Sequence, residues 1–210
     1  MSCAVLVFAR APVAGAVKTR LIPAIGATAA ADLHARLVRH SLAIATRAAL
    51  GPVSLWCEPS TSHPFFTECA REFGVTLHAQ QGADLGARMA AALRVALDEC
   101  ACAIVIGSDC PSLTVDDLRH AASALAGAHD VVLGPAEDGG YVLLGMRRFL
   151  PTLFDDIEWG TSEVLAQTRA RLQKSGVDWL ELETRWDVDR PQDLARLASV
   201  GMPLDAAALE

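Results

Sequence analysis

Residues 4–9 read Ala-Val-Leu-Val-Phe-Ala, six consecutive apolar positions with β-branched and aromatic members, closed at once by a loop that contains Pro12 and Gly15. An amphipathic helix would interrupt such a run with polar residues, and so would a strand with one wet face. The run therefore predicts a strand buried on both sides, as in the middle of a parallel sheet. A strand of that kind needs a layer of helices above it and another below.

The rest of the chain supplies both layers. A long helical stretch follows the first loop, with Thr28 as its expected cap, Asp32 in its first turn, and Leu33, Leu37, Leu42 and Ala45 near one face; Gly51-Pro52 stops it. Strand-like segments at 53–57, 75–78, 103–106, 131–133, 141–144 and 177–182 then alternate with helical segments at 64–72, 85–99, 114–126, 161–174 and 191–200. Thr114-Val-Asp-Asp117 has the spacing of a capping box, with Asp in place of Glu. Between residues 133 and 141 two strands follow one another without a helix. The alternation predicts an α/β chain with a mostly parallel sheet in a three-layer α/β/α sandwich. At 210 residues, 52% of them hydrophobic, it predicts one domain over residues 1–210.

Charge and composition narrow the function. A formal net charge of -7 argues against a nucleic-acid surface, which needs clustered Lys and Arg. The charge is uneven: Arg10, Lys18, Arg20, Arg36, Arg39 and Arg47 face Asp32 alone within residues 1–50, and the carboxylates gather later. Such a layout suits an anionic ligand held by cations on one side and a carboxylate-bound cation on the other, and equally two solvated faces of opposite sign. No apolar run approaches a membrane span, and the opening residues lack a basic segment and a small-residue cleavage site, so no membrane contact and a cytoplasmic location are expected. The six cysteines form no CxxC pair and several sit in apolar runs, as reduced fillers do. The six histidines (His34, His40, His63, His78, His120, His129) make no HExxH or i,i+4 pair, and there is no GxSxG. Each histidine taken alone reads as a surface or core residue.

In sheets of this class ligands sit beyond the carboxyl ends of the strands, so the segments just after each strand carry the candidates. The first, Arg10-Ala-Pro-Val-Ala-Gly15-Ala-Val-Lys18-Thr19-Arg20, offers glycine for close backbone approach, proline for stiffness and three cations that can converge on one polyphosphate, although its spacing is not that of a Walker A loop. A solvated basic connection has the same composition. Asp109 follows a strand and precedes Pro111, a placement suited to Mg²⁺, which takes one or two protein carboxylates and completes its shell with water and phosphate oxygens. Thr114 is the better cap for the helix behind it. Asp187 and Asp189 precede Pro191 and alternate onto one face; with Pro191 at the first helical position and Asp193 at the third, capping explains neither. Asp138-Gly139-Gly140-Tyr141 and Trp159-Gly160-Thr161-Ser162 each read equally as site or as ordinary turn and helix start.

The segments ARAPVAGAVKTRL, QGADLGARM, IGSDCPSLT, GPAEDGGYVLLG, WGTSEVLAQT and DVDRPQDL, in this order, resemble a bacterial family of glycosyltransferase-A-fold proteins, DUF2064, also labelled transferase 1, over nearly the whole chain. More distantly, residues 18–21, 108–114 and 138–140 are similar to stretches of 2-phospholactate guanylyltransferases, and residues 189–194 resemble the DTPEDL element of several nucleotidyltransferases, with Arg190 in place of Thr. The resemblance implies a nucleotide-diphospho-sugar transferase fold. It implies Arg10, Gly15, Lys18, Thr19 and Arg20 on the nucleotide phosphates, and Mg²⁺ or Mn²⁺ on Asp109 with Asp189 or Asp187. Lys18, Asp109 and Asp138 are then the catalytic candidates, and Gly139, Gly140, Tyr141, Thr161 and Ser162 the substrate-facing ones.

Three functions are compatible with these residues. The first is nucleotidyl transfer from a nucleoside triphosphate to a small-molecule acceptor with release of pyrophosphate, which needs positioning and charge stabilisation but no covalent nucleophile. The second is glycosyl transfer from a nucleotide sugar, with Asp138 or Glu137 activating the acceptor. The third is a nucleotide-binding adaptor that has lost turnover. For the third, Asp109→Asn is expected to leave behaviour intact; loss of activity at unchanged thermal stability would point to an enzyme.

Overall fold

In the computed structural model, which describes residues 2–203, strands and helices alternate as the sequence predicts. The order is β1 (Cys3–Arg10), a 3-10 turn (Thr19–Leu21), α1 (Ile22–Ile25), α2 (Ala27–Ala48), β2 (Val53–Glu58), α3 (Pro64–Phe73), β3 (Thr76–Ala79), α4 (Leu85–Glu99), β4 (Cys102–Gly107), α5 (Val115–Ala126), β5 (Val131–Pro135), β6 (Tyr141–Met146), a second 3-10 turn (Pro151–Leu153), α6 (Val164–Ser175), β7 (Trp179–Glu181) and a closing 3-10 segment (Pro191–Val200). The described residues form a seven-stranded sheet in the order β3-β2-β1-β4-β6-β5-β7. All its pairings are parallel except those of β6, which runs antiparallel to both β4 and β5.

The apolar run that opens the chain is the middle of this sheet. Val5, Leu6 and Val7 have no exposed surface. Because side chains alternate across a strand, Val5, Val7 and Ala9 enter one core with Leu42 of α2, Phe66 of α3 and Leu118 of α5, while Leu6 and Phe8 enter a second with Leu93 of α4 and Leu172 of α6. These are the two outer helical layers. A third apolar cluster joins Leu21, Ile25, Leu33 and Leu37 to Val188, Leu197 and Met202, and so fastens the closing segment to the start of α2. Among the described residues no helix is long and apolar enough to cross a membrane.

Three sequence expectations shift at element ends. The long helix is preceded by Gly26, whose φ of 79° turns the chain sharply after the short α1, so Thr28 lies inside the helix and caps nothing. The helix expected from Thr161 begins at Val164: Thr161 Oγ1 donates to the Glu158 carbonyl at 2.8 Å and closes a turn of its own. The segment 191–200 is 3-10 rather than α-helical.

The capping box is present as predicted. Thr114 caps α5, and Asp117 Oδ2 accepts from the Thr114 backbone at 2.9 Å. Asp117 also receives two bonds from Arg185, at 3.0 and 2.7 Å. Burial would raise this carboxyl, but Arg185 and Thr114 outweigh it and hold it below the usual carboxylate range. Asp117→Ala would leave Arg185 with only the exposed Glu183 as a partner, at 3.3 Å, and would remove the reciprocal half of the α5 capping box. It is expected to cost about 3 kcal/mol in urea unfolding; a loss under about 1 kcal/mol would contradict this account.

Candidate functional site

β6 runs against its neighbours, so its first residue and the last residue of β5 lie at the same edge as the carboxyl ends of β1 and β4. Four loops meet there: residues 11–18, 108–113, 136–140 and 183–190. What joins three of them is Lys18. Its backbone is left-handed at φ 48° and its side chain is 3% exposed. The ammonium donates to the Val188 carbonyl at 2.5 Å and pairs with Asp109 Oδ1 at 2.9 Å. The Val188 amide in turn donates to the Asp109 carbonyl at 2.9 Å.

His34, from α2, completes the cluster. Its Nε2 donates to the Arg10 carbonyl at 3.0 Å, and its Nδ1 stands 3.5 Å from Asp109 Oδ1. Burial works to raise the Asp109 carboxyl; the Lys18 ammonium and the His34 ring more than reverse this and hold it well below the usual range. Oδ1 is enclosed while the side chain as a whole is 46% exposed, so the free face belongs to Oδ2. His34 was missed from sequence because it belongs to no motif; it reaches Asp109 through the packing of α2 against β1.

The three cations of the first loop therefore do not simply converge on an empty anion site. Lys18 is turned inward. Arg10 pairs with Glu58 at 3.2 Å, and Glu58 is shared with Arg88 at 2.9 Å. Arg20 pairs with Asp189. Arg10, Lys18, Thr19 and Arg20 nonetheless line one cavity of about 270 Å³, with Asp109 and Asp189. Gly15 lines none of it. A Cβ there would meet no protein atom, and the residue's φ of 85° turns the loop.

Beside this lies a larger cavity of about 750 Å³, walled by Trp159, Tyr141 and Met89 and edged by Asp138, Asp187 and Asp189. Asp187 and Asp189 share it, as their alternation predicts. Burial, then the neighbouring Asp138 and Asp189, push the Asp187 carboxyl up to about 6, against a smaller pull from Lys18. Asp138 Oδ1 accepts from the Gly140 amide at 2.9 Å. Gly140, Tyr141, Thr161 and Ser162 line the cavity; Gly139 does not. Gly139 has φ 90°, and a Cβ on it would fall 2.2 Å from the Ser162 carbonyl oxygen, so the 138–140 turn and the 160–162 turn are packed directly together. The Tyr141 ring faces the cavity, while its phenol is buried toward Thr168 and pushed well up by that burial. Trp159 lies on α4 at Gly86, where a Cβ would be 2.5 Å from the indole. That contact joins two of the segments quoted above, and neither spacing nor periodicity announces it.

Arg20 and Asp189 line both cavities, so their ion pair stands between them. Among the described residues no three His, Cys, Asp or Glu side chains lie close enough to hold a metal unaided.

Asp187→Asn is expected to stabilise the protein. The folded-state pKa is raised above its ordinary value, so stability falls as pH rises from ~4 to ~6 and stays lower above that, and the amide removes this cost. With its partial exposure discounted, a gain of about 1 kcal/mol raises Tm by about 2–4 °C at pH 7.5. Below pH ~4, where the carboxyl is protonated in the folded and the unfolded chain alike, the gain should vanish. A Tm difference that stays constant across this range would show that Asp187 is not strained by its neighbours.

Residues 41–161 match the family described as "Uncharacterized protein conserved in bacteria (DUF2064)". No protein with a curated description matches the chain. Among solved structures, the chain is similar to one from Desulfovibrio desulfuricans G20, provisionally described as a nucleotide-diphospho-sugar transferase, with 27% identity and a TM-score of 0.83 over 98% of this chain and 100% of that one. In fold alone, it is similar to CMP:2-keto-3-deoxy-manno-octonic acid synthetase complexed with CTP, with 13% identity and a TM-score of 0.62 over 96% and 98% of the two chains. It is likewise similar to glucosyl-3-phosphoglycerate synthase from Mycobacterium tuberculosis in complex with Mn²⁺, UDP and glucosyl-3-phosphoglycerate, with 10% identity and a TM-score of 0.54 over 98% and 81%. The mixed sheet with its reversed β6 is thus that of the nucleotide-diphospho-sugar transferase fold.

Proposed function

This chain belongs to the DUF2064 family, and from that premise we propose that it is a transferase that joins a nucleotide to a small acceptor across its two adjoining cavities. One observation carries the reading: a cation-lined cavity and a larger aromatic and acidic one share a wall at the carboxyl edge of the sheet. Arg10, Thr19 and Arg20 face the smaller cavity and would hold the phosphate chain, with Arg20 able to fork onto two phosphate oxygens. Lys18 contributes from beneath by fixing Asp109 and residue 188, not by touching phosphate. The acceptor would lie in the larger cavity between Trp159 and Thr161-Ser162. Its oxygen attacks the α-phosphorus of a nucleoside triphosphate, the bond to the bridging oxygen breaks, and pyrophosphate leaves with the electron pair. Asp138, which lines the larger cavity, would take the acceptor's proton.

A divalent cation fits these residues. Asp109, Asp187 and Asp189 offer hard oxygen donors, Asp109 Oδ2 is open, and the reluctance of Asp187 to ionise beside two other carboxylates is what a cation would relieve. Such an ion would supply charge neutralisation at the phosphates. A glycosyl transfer is the second reading, favoured by the description of the Desulfovibrio desulfuricans protein and by an aromatic wall of the kind that packs against sugar rings.

Asp109→Asn is a poor probe, because Asp109 offsets a buried ammonium and its loss is expected to cost about 3 kcal/mol of stability. Asp189, at the exposed end of the site, is the cleaner choice. Incubation with each triphosphate, Mg²⁺ and a panel of phosphorylated acceptors is expected to release pyrophosphate, and Asp189→Asn to reduce the rate about 100-fold while Tm holds. Silence toward every triphosphate, with turnover of a nucleotide sugar, would move the assignment to glycosyl transfer. Binding of nucleotide without either turnover would leave the adaptor.

A further inference from the structure

The two carboxylates that face the smaller cavity carry counter-ions of different kinds. Asp109 is paired with Lys18, whose side chain is 3% exposed and is also bonded to the Val188 carbonyl. That partner is fixed. Asp189 is paired with Arg20, whose side chain is 63% exposed, has no other bond among the described residues and borders both cavities. That partner can leave.

Resting on the assignment of the smaller cavity to phosphate, we propose that Arg20 is a stand-in cation: it occupies Asp189 until a phosphate chain draws it off, and so makes divalent-ion binding follow nucleotide binding. A guanidinium forks onto phosphate oxygens at least as well as onto a carboxylate, and a triphosphate brings several negative charges into a cavity that Arg20 already lines. When Arg20 turns to the phosphates, Asp189 loses its counter-ion at a cavity edge that Asp187 and Asp138 also line, and the freed carboxylate is open to a divalent ion whose shell water and phosphate oxygens would complete. Asp189 does not collapse when released, because its backbone amide is bonded to Asp193 Oδ2 at 3.0 Å. The device weakens the binding of metal alone, and by linkage each ligand then strengthens the other.

The test is a titration of Mn²⁺ followed by electron paramagnetic resonance, without nucleotide, on wild type, Arg20→Ala, Arg20→Lys and Arg190→Ala. Arg190 lines the larger cavity next to Asp189 but has no carboxylate partner among the described residues, so it controls for a general loss of positive charge. Arg20→Ala is expected to bind Mn²⁺ about fivefold tighter than wild type, the factor equal to a strong exposed ion pair, with Arg20→Lys and Arg190→Ala close to wild type. Equal Mn²⁺ affinity in Arg20→Ala and wild type, an equal gain in Arg190→Ala, or no Mn²⁺ binding by any of the four would overturn the proposal. A parallel titration of the four ribonucleoside triphosphates in EDTA should show weakened binding for Arg20→Ala. If wild type binds none of them, the phosphate assignment of the cavity fails, and the Mn²⁺ comparison still reports on the Arg20–Asp189 pair by itself.

Discussion

The site depends on one buried ammonium. Taking Lys18 out of water is costly, and the cost is offset only by partners that arrive from two distant parts of the chain, the Asp109 carboxylate and the Val188 carbonyl. Once they are in place, the first loop, the segment after β4 and the segment before the closing 3-10 turn hold fixed positions. The left-handed backbone of Lys18 is part of the same arrangement, an uncommon conformation for a residue with a side chain, held where that side chain is buried. A residue whose surroundings in the sequence suggest ligand binding thus acts first as the framework on which the ligand-facing groups are mounted.

Charge at this edge is arranged in two tiers. Beneath the surface, Lys18 and Asp109 neutralise one another at short range with the His34 ring beside them; above, Arg10 and Arg20 are held by Glu58 and Asp189 in exposed pairs that are individually weak. The lower tier gives position and the upper gives responsiveness. Asp187 belongs to neither, and its raised carboxyl records its burial first and the repulsion of Asp138 and Asp189 after it. Strain of this kind at a cavity is common where binding or turnover takes precedence over stability.

The layered fold was legible because it rests on periodicity. The apolar run at 4–9, the alternation after it and the capping box at Thr114–Asp117 are local signals, and each has a local cause. Loop positions were legible for the same reason, and they placed Asp109, Asp187, Asp189 and Asp138 at one edge. What the sequence hid is what depends on contacts between distant residues: the inward turn of Lys18, the reach of His34, the packing of Trp159 over Gly86, and the pressing of Gly139 onto Ser162. Gly26 was readable and was passed over, since a glycine before a helical run marks a bend as readily as Thr28 marks a cap. The composition of the first loop suggested cations free for an anion. Nothing in composition shows that each already has a carboxylate.

The link between Lys18 and Val188 spans 170 residues, and it has a consequence for how the molecule comes into being. A ribosome releases the central strands, and with them most of the sheet, well before residue 188 emerges. During that interval the Lys18 ammonium lacks its carbonyl, and the apolar group of Leu21, Ile25 and Leu37 waits for Val188 and Leu197 to cover it. Closing so distant a contact is slow compared with forming the neighbouring helices. The site is therefore among the last parts of the protein to take shape, and a chain interrupted late in synthesis would have a sheet without a working edge.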